Sequence, residues 1–178
     1  MNRTFFLAAN SGRGFFSLYE QFPPEGVFLH VIKGGPGTGK SGFMRRIQQA
    51  AAERGLDTET ILCSGDPDSL DGLYIPALGL AWVDGTAPHV QEPKVFGGDG
   101  DYVNLGVFCR TPLSEQDRAR AAELNRAYKE CYAQATEKLT EGKRLHDELE
   151  AIYRPYVDFD ALTEYTDKTI EKLFDTKL

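Results

Sequence analysis

The chain has 178 residues, of which 41% are hydrophobic and 26% are charged, and its formal net charge is −7 at pH 7. This composition predicts one globular domain, with or without an appendage, and excludes wholesale disorder. The acidic balance argues against broad nucleic-acid binding, which needs basic surface to replace phosphate counterions. No apolar run approaches the roughly 20 residues of a membrane helix. Three cysteines without a CxxC pair favour neither a zinc site nor a disulfide framework, and predict a cytoplasmic location.

The composition changes near Pro112, which predicts a core at 1–113 and a helical extension at 114–178. Strand-like segments in the core alternate with a helical one. The predicted strands are 4–9, 27–33, 58–63, 79–84 and 103–108, and the predicted helix is 41–54. The segment 27–33 is almost continuously apolar, as in a parallel strand that is covered on both faces. The core is therefore predicted to be α/β with a mainly parallel sheet flanked by helices.

The extension reads as two helices. Ser114 is a suitable N-cap residue, and apolar or small side chains then recur every three or four residues from Leu124 to Tyr156. Pro155 should end this first helix, and a second is predicted over 160–174. Two helices joined by one turn predict an antiparallel α-helical hairpin. The stripe is interpreted mainly as hairpin packing, with binding of a protein partner or self-association as the alternative.

A glycine-rich loop follows the apolar segment 27–33 and fits G-x-x-x-x-G-K-[ST] without mismatch over 34–41. In such a P-loop, backbone N–H groups cradle phosphate oxygens and the following helix adds the positive end of its dipole. The residues predicted to bind nucleotide are Gly35, Pro36, Gly37, Thr38, Gly39, Lys40 and Ser41. Lys40 would reach the β- and γ-phosphates, and the Ser41 hydroxyl would ligate Mg²⁺. The loop thus predicts a P-loop NTPase fold.

A P-loop site also needs an acid from a neighbouring strand on the Mg²⁺ side. Asp84 ends the apolar segment 79–84 and is the candidate, although it is also suited to opening an Asp-Gly turn. Gly85 follows it where many ATPases carry a water-activating Glu. The usual hydrolytic base is therefore missing from its usual position.

Three other residues are candidates for the base. Asp66 and Asp68 follow the strand-like segment 58–63, where they would bind an acceptor hydroxyl, act as a base or order the Mg²⁺ shell; turn formation is the alternative reading. His89 lies beyond Asp84, near the predicted sheet edge, and either contacts the γ-phosphate or the attacking water, or is structural. The N-K-x-D and D-x-x-G motifs of guanine-specific GTPases are absent from the sequence, which favours ATP.

Segments along the whole chain resemble a family of poorly characterised bacterial P-loop ATPases. The similar segments are 6–15, 33–41, 63–72, 83–89, 104–106 and 158–162. Members of that family have two P-loop halves in tandem, and this chain is similar to the N-terminal half, either as a truncated half or as a single copy. The resemblance implies ATP binding or nucleotide-kinase-like activity without naming a reaction.

The leading interpretation is a Mg²⁺-dependent ATPase that cleaves the β–γ phosphoanhydride bond, with ATP, ADP and Mg²⁺ as ligands. Lys40 and Asp84 are its principal catalytic candidates, and Ser41 and Asp84 its metal ligands. One alternative is a kinase that transfers phosphate to a small molecule or nucleotide. The other is a nucleotide-gated interaction module without turnover.

Overall fold

The computed structural model describes residues 2–86, 90–110 and 112–174, and these form a sheet unit followed by a long helix. In that part of the chain the strands are β1 (Arg3–Phe5), β2 (Ala8–Ser11), β3 (Gly14–Ser17), β4 (Phe28–Lys33), β5 (Glu59–Leu62), β6 (Leu70–Ile75), β7 (Leu80–Asp84) and β8 (Gly100–Asn104). The α-helices are α1 (Lys40–Ala52), α2 (Glu115–Tyr153) and α3 (Phe159–Phe174). None of the described helices is both long enough and apolar enough to cross a bilayer.

Six strands form one sheet in the order β1-β5-β6-β7-β4-β8, and β2 pairs with β3 in a separate hairpin. All six run in the same direction except β6, which is antiparallel to both neighbours. The reversal follows from the short connections on either side of β6. Seven residues precede it and four follow it, which are too few for the crossover that a parallel neighbour needs. The predicted α/β class with a mainly parallel sheet is confirmed.

The sheet has a buried core on each face. On one face, α1 packs Met44 and Ala51 against Ile32, Leu73 and other strand residues. The other face is covered by the segment that contains Ala8, Tyr19 and Phe22, which contacts Val31 and Val83 among others. The middle strands β4 and β7 are therefore mostly apolar on both faces, with Lys33 and Asp84 at their ends and His30 as the polar residue within β4.

Two predicted strands differ in detail from the structure, and one observed strand was not predicted. The predicted strand at 4–9 is two strands, β1 and β2, in different sheets. The one at 103–108 ends early, because the Asn104 side chain caps a 3₁₀ turn over Leu105–Phe108 by accepting from the Gly106 N–H. Strand β6 had no counterpart among the predictions. The segments predicted at 27–33, 58–63 and 79–84 correspond to β4, β5 and β7.

The predicted start and end of α2 are confirmed. The Ser114 Oγ accepts a hydrogen bond from the Asp117 N–H at 3.0 Å, and the helix ends at Tyr153, next to a 3₁₀ turn over Arg154–Tyr156 that contains Pro155. The second helix, predicted at 160–174, begins one residue earlier in the structure, at Phe159.

The predicted antiparallel packing of these two helices is wrong. Every described residue of α3 is exposed, and α2 and α3 do not lie side by side. The middle of α2 instead contacts the sheet unit. Leu139 and Lys143 lie against Gly12 beside the β2–β3 turn, and the Tyr132 hydroxyl lies against Gly65. The apolar side chains of the stripe are themselves largely exposed, and self-association through the helices stays a prediction.

Two leucines test this arrangement, since Leu73 in β6 is fully buried and Leu162 in α3 is 50% exposed. Leu73→Ala should lower the free energy of unfolding by about 2–5 kcal/mol because it leaves a core cavity. Leu162→Ala should change it by less than about 0.5 kcal/mol, as for other surface positions. Urea unfolding followed by circular dichroism measures both. A cost for Leu162→Ala near that of Leu73→Ala would mean that α3 is packed.

Candidate functional site

The glycine-rich loop joins the end of β4 to the start of α1, as predicted from the sequence. Gly37 and Gly39 have φ values of 74° and 89°, a left-handed conformation that glycine adopts without strain. Within the described part of the chain, the N–H groups of Gly37, Gly39, Lys40 and Ser41 donate no hydrogen bond. The loop therefore presents unpaired donors at the positive end of a 13-residue helix, which is the arrangement that binds anions.

The Lys40 ammonium lies at the mouth of this loop. Its Nζ donates to the carbonyl oxygens of Gly34 and Gly35 at 2.9 and 3.1 Å, and it lies 3.6 Å from the Asp84 Oδ2. The two charged side chains are only 11% and 15% exposed. At an effective protein dielectric, such a pair attracts by about 4 kcal/mol, and desolvation of both groups offsets much of this.

Strand pairing explains why Asp84 lies beside Lys40. Strand β7 runs parallel to β4 with Asp84 opposite Ile32, so the aspartate lies where the chain leaves β4 for the loop. The Asp84 Oδ1 accepts hydrogen bonds from the N–H and hydroxyl of Thr86 at 2.9 and 2.6 Å. One Asp84 oxygen thus stabilises the turn after β7, which is the alternative role predicted for this residue from the sequence. The other oxygen faces Lys40.

The start of α1 contacts the loop that follows β5 and the first residue of β6. The Ser41 Oγ accepts a hydrogen bond from the Leu70 N–H at 3.0 Å, and Arg45, one turn further along α1, donates to the Asp68 carbonyl. Ser41 keeps a lone pair and its proton after this contact. A hydroxyl and a carboxylate are hard oxygen donors of the kind that Mg²⁺ prefers, so the side chains of Ser41 and Asp84 fit that ion chemically.

Asp66 and Asp68 lie on this same loop, and both are exposed. The Asp66 Oδ1 accepts from the Asp68 N–H at 3.2 Å, and the Asp66 carbonyl accepts from the Ser69 N–H at 2.8 Å. Across the described ranges, neither carboxylate contacts Lys40 or Asp84. Their observed contacts are those of a turn, on a loop that reaches the start of α1 through Leu70. His89 lies outside the described residues.

The residue after Asp84 has no room for a side chain. A Cβ at Gly85 would collide with the Cγ1 of Val31, which is fully buried, and would lie 3.1 Å from the Lys33 Nζ. A glutamate at this position would therefore point into the sheet face rather than toward the loop. The packing explains physically why position 85 is a glycine.

Sequence reasoning missed a polar cluster next to Gly85. The Lys33 Nζ donates to the Gly85 carbonyl at 3.2 Å and to the Glu92 Oε1 at 2.7 Å, and the Tyr102 hydroxyl donates to the other Glu92 oxygen. The hydrogen bond from Lys33 lowers the pKa of Glu92. Lys33 immediately precedes the glycines, so its position in the sequence indicates that it lies near the loop. Glu92 and Tyr102 come from separate segments, and nothing in the sequence around them indicates that they meet Lys33.

Tyr19 was also missed, and it lies beneath the site. Burial raises the pKa of its phenol well above the usual range, and the charges of Asp71, Cys63 and Asp84 raise it further. The phenol therefore stays neutral at all physiological pH values. No local pattern distinguishes this tyrosine, because its surroundings come from β6, β7 and the end of β5.

Comparison of the chain with protein-family models, with curated proteins and with solved structures finds no match.

Gly85 supplies a direct test of the packing around the site. Gly85→Ala should lower the free energy of unfolding by about 1–3 kcal/mol, because its methyl group overpacks the buried Val31. Gly35 is the matched control, since a Cβ there meets open space, and Gly35→Ala should stay within about 0.5 kcal/mol of the wild type. Thermal unfolding of both variants measures the difference. Equal stability would contradict the described turn after β7.

Proposed function

We propose that the protein binds Mg-ATP at the glycine-rich loop and slowly hydrolyses its β–γ phosphoanhydride bond. The observation that carries this proposal is the shielded pair of Lys40 and Asp84 beside a loop with unpaired N–H donors. A lysine, a carboxylate and a ring of N–H donors together match a phosphate chain with its metal ion better than any neutral ligand. The P-loop NTPase fold, and membership of the tandem P-loop ATPase family, are part of the same proposal.

Phosphate binding follows from the donors of the loop. The N–H groups of Gly37, Gly39, Lys40 and Ser41 would bind phosphate oxygens, assisted by the dipole of α1. The Lys40 ammonium would exchange the neutral carbonyls of Gly34 and Gly35 for anionic oxygens, which are the stronger acceptors. Its charge would stabilise the negative charge that moves toward the leaving β-phosphate during cleavage.

The metal ligands would be the Ser41 hydroxyl and the Asp84 carboxylate, the latter directly or through water. A bound Mg²⁺ supplies neutralisation of phosphate charge and alignment of the phosphate chain. Thr86 would keep the Asp84 carboxylate oriented, because it already donates two hydrogen bonds to the Oδ1.

The base that activates water is not assigned. Gly85 carries no side chain, so Asp66, Asp68 and His89 stay the candidates. Hydrolysis without a well-placed base should be slow, because positioning and proton abstraction by a base typically contribute 10²–10⁴-fold. The absence of guanine-recognition motifs favours ATP over GTP. The three cysteines are free, which favours a reducing compartment such as the cytoplasm.

Phosphoryl transfer to an acceptor other than water is the second candidate. It is favoured by the collision that excludes a glutamate at position 85, together with the loop after β5, which brings the backbone of Leu70 to Ser41. Asp66 and Asp68 on that loop would then bind an acceptor hydroxyl at the rim of the site. A kinase needs no water-activating residue, so this arrangement suits it.

The test measures ADP and phosphate release from Mg-ATP without an added acceptor. Lys40→Ala should reduce release at least about 100-fold, the usual cost of losing a group that stabilises transition-state charge. Lys129→Ala removes an exposed lysine from α2 and should leave the rate unchanged. Removal of Mg²⁺ with a chelator should abolish release by the wild type.

Two outcomes would contradict the ATPase proposal. Release that is equal in the wild type and Lys40→Ala would place the activity elsewhere. Binding of Mg-ATP without any release would favour the kinase candidate, whose acceptor would then have to raise ADP formation.

A further inference from the structure

The short turn that follows β8 lies directly beside the glycine-rich loop. Strand β8 runs parallel to β4 with Asn104 opposite Lys33, so the two chains leave the sheet at the same edge. The Leu105 side chain packs against the start of the loop, with its Cβ 3.5 Å from the position of a Cβ at Gly34. The 3₁₀ turn Leu105–Phe108 therefore forms the rim of the site on the side away from Asp84.

The turn that begins beside the loop ends at Phe108. In a 3₁₀ helix the side chains at i and i+3 eclipse one another, and the rise is about 2.0 Å per residue. Phe108 is three residues after Leu105, so it lies on the same side of the turn, about 6 Å farther along its axis. Leu105 is 9% exposed and Phe108 is 75% exposed, which shows that the turn runs outward from the sheet.

The turn that carries this aromatic ring is fixed. The Asn104 Oδ1 accepts from the Gly106 N–H at 2.9 Å, and the Cys109 N–H donates to the Gly106 carbonyl at 3.1 Å. The ring itself packs in no core cluster among the described residues. The hydrogen-bonded turn therefore keeps the Phe108 ring exposed to solvent, where it adds nothing to the core. Such a ring is available to contact a ligand.

The other described parts of the rim are polar. Asp84 and Thr86 lie on the β7 side, and the loop after β5 presents Asp66 and Asp68. The metal and the acceptor or water would belong to those sides.

The β8 side offers the exposed ring of Phe108 at the end of a turn that begins against the loop, and an aromatic face is what a nucleobase stacks on. The Tyr132 ring beside the loop after β5 is instead paired with Tyr128 and lies with its hydroxyl against Gly65.

Resting on the proposed nucleotide site, we propose that Phe108 forms its base subsite, in which the adenine of ATP stacks on the phenyl ring. The phosphates lie on the loop N–H groups, and the nucleoside extends across Leu105 toward Phe108. The ring contacts the face of the base and leaves its edge to other groups. The metal ion that accompanies the phosphates would then lie on the β7 side of β4. The base would lie on the β8 side.

The experiment separates the contribution of the base to affinity from that of the phosphates. It uses two ligands that have no β–γ bond for an ATPase to cleave. Isothermal titration calorimetry on the full chain measures affinities for Mg-ADP and for Mg-pyrophosphate. Phe108→Ala should weaken Mg-ADP binding about 5- to 150-fold, the loss expected for one stacked base. Its affinity for Mg-pyrophosphate should equal that of the wild type, which also shows that the variant is folded.

Two further variants sharpen the test. Phe108→Trp should keep or strengthen Mg-ADP binding, because indole offers a larger stacking face. Tyr165 is a matched control, since it is an aromatic residue on α3 with 71% exposure, and Tyr165→Ala should alter neither affinity.

Three results would overturn the base subsite alone, and a fourth would overturn it together with the proposed function. Unchanged Mg-ADP affinity in Phe108→Ala would show that the ring does not contact the base. A parallel loss of both ligands would show that it only supports the loop. If the wild type binds pyrophosphate as tightly as ADP, the base adds nothing to affinity. The phosphate site would then be supported and the base subsite would not. A wild type that binds neither ligand would overturn the proposed function as well.

Discussion

The parallel pairing of β4 with β7 is the constraint on which the rest of the site depends. It carries Asp84 to the point where the chain turns from β4 into the glycine-rich loop, so that its carboxylate faces Lys40 at 3.6 Å. Without that register, the lysine would have only the carbonyls of its own loop as partners. The same sheet edge receives β8 on the other side of β4, and with it the turn that ends at Phe108. One strand therefore organises both sides of the candidate site.

Local signals predicted the parts of the fold that local interactions form. The apolar run of β4, the glycines with positive φ before α1 and the Ser114 cap of α2 each act within a few residues, and each could be read directly from the sequence. The position of Asp84 beside the loop was predicted as well, because the carboxyl ends of parallel strands meet at the same edge of a sheet, whereas its ion pair with Lys40 was not. The antiparallel insertion of β6 was not predicted either, since Leu70–Ile75 contains a glycine and an aspartate that read as a loop.

Features that depend on distant segments were beyond the sequence. Glu92 and Tyr102 meet Lys33 only after β8 has paired with β4, and Tyr19 is buried only once the sheet has formed. The predicted helical hairpin failed for a related reason. Periodicity shows that α2 has an apolar face without showing what covers it, and in the described residues that face is largely exposed. The middle turns of α2 contact Gly12 and Gly65 of the sheet unit through the Leu139 carbonyl, the Lys143 side chain and the Tyr132 hydroxyl. The two glycines provide the close approach, because a side chain at either would collide with α2.

The central claim is that the N–H groups at the start of α1 bind phosphate, and a titration of ¹⁵N-labelled protein with Mg-ADP followed by NMR tests it most directly. The account predicts that the largest amide shifts fall on Gly37, Gly39, Lys40 and Ser41, because these donors gain charged acceptors. A second, smaller group should include Asp84 and Thr86. Shifts confined to another region, such as the 710 Å³ cavity between residues 19–29 and 91–99, would contradict it, as would a spectrum that Mg-ADP leaves unchanged.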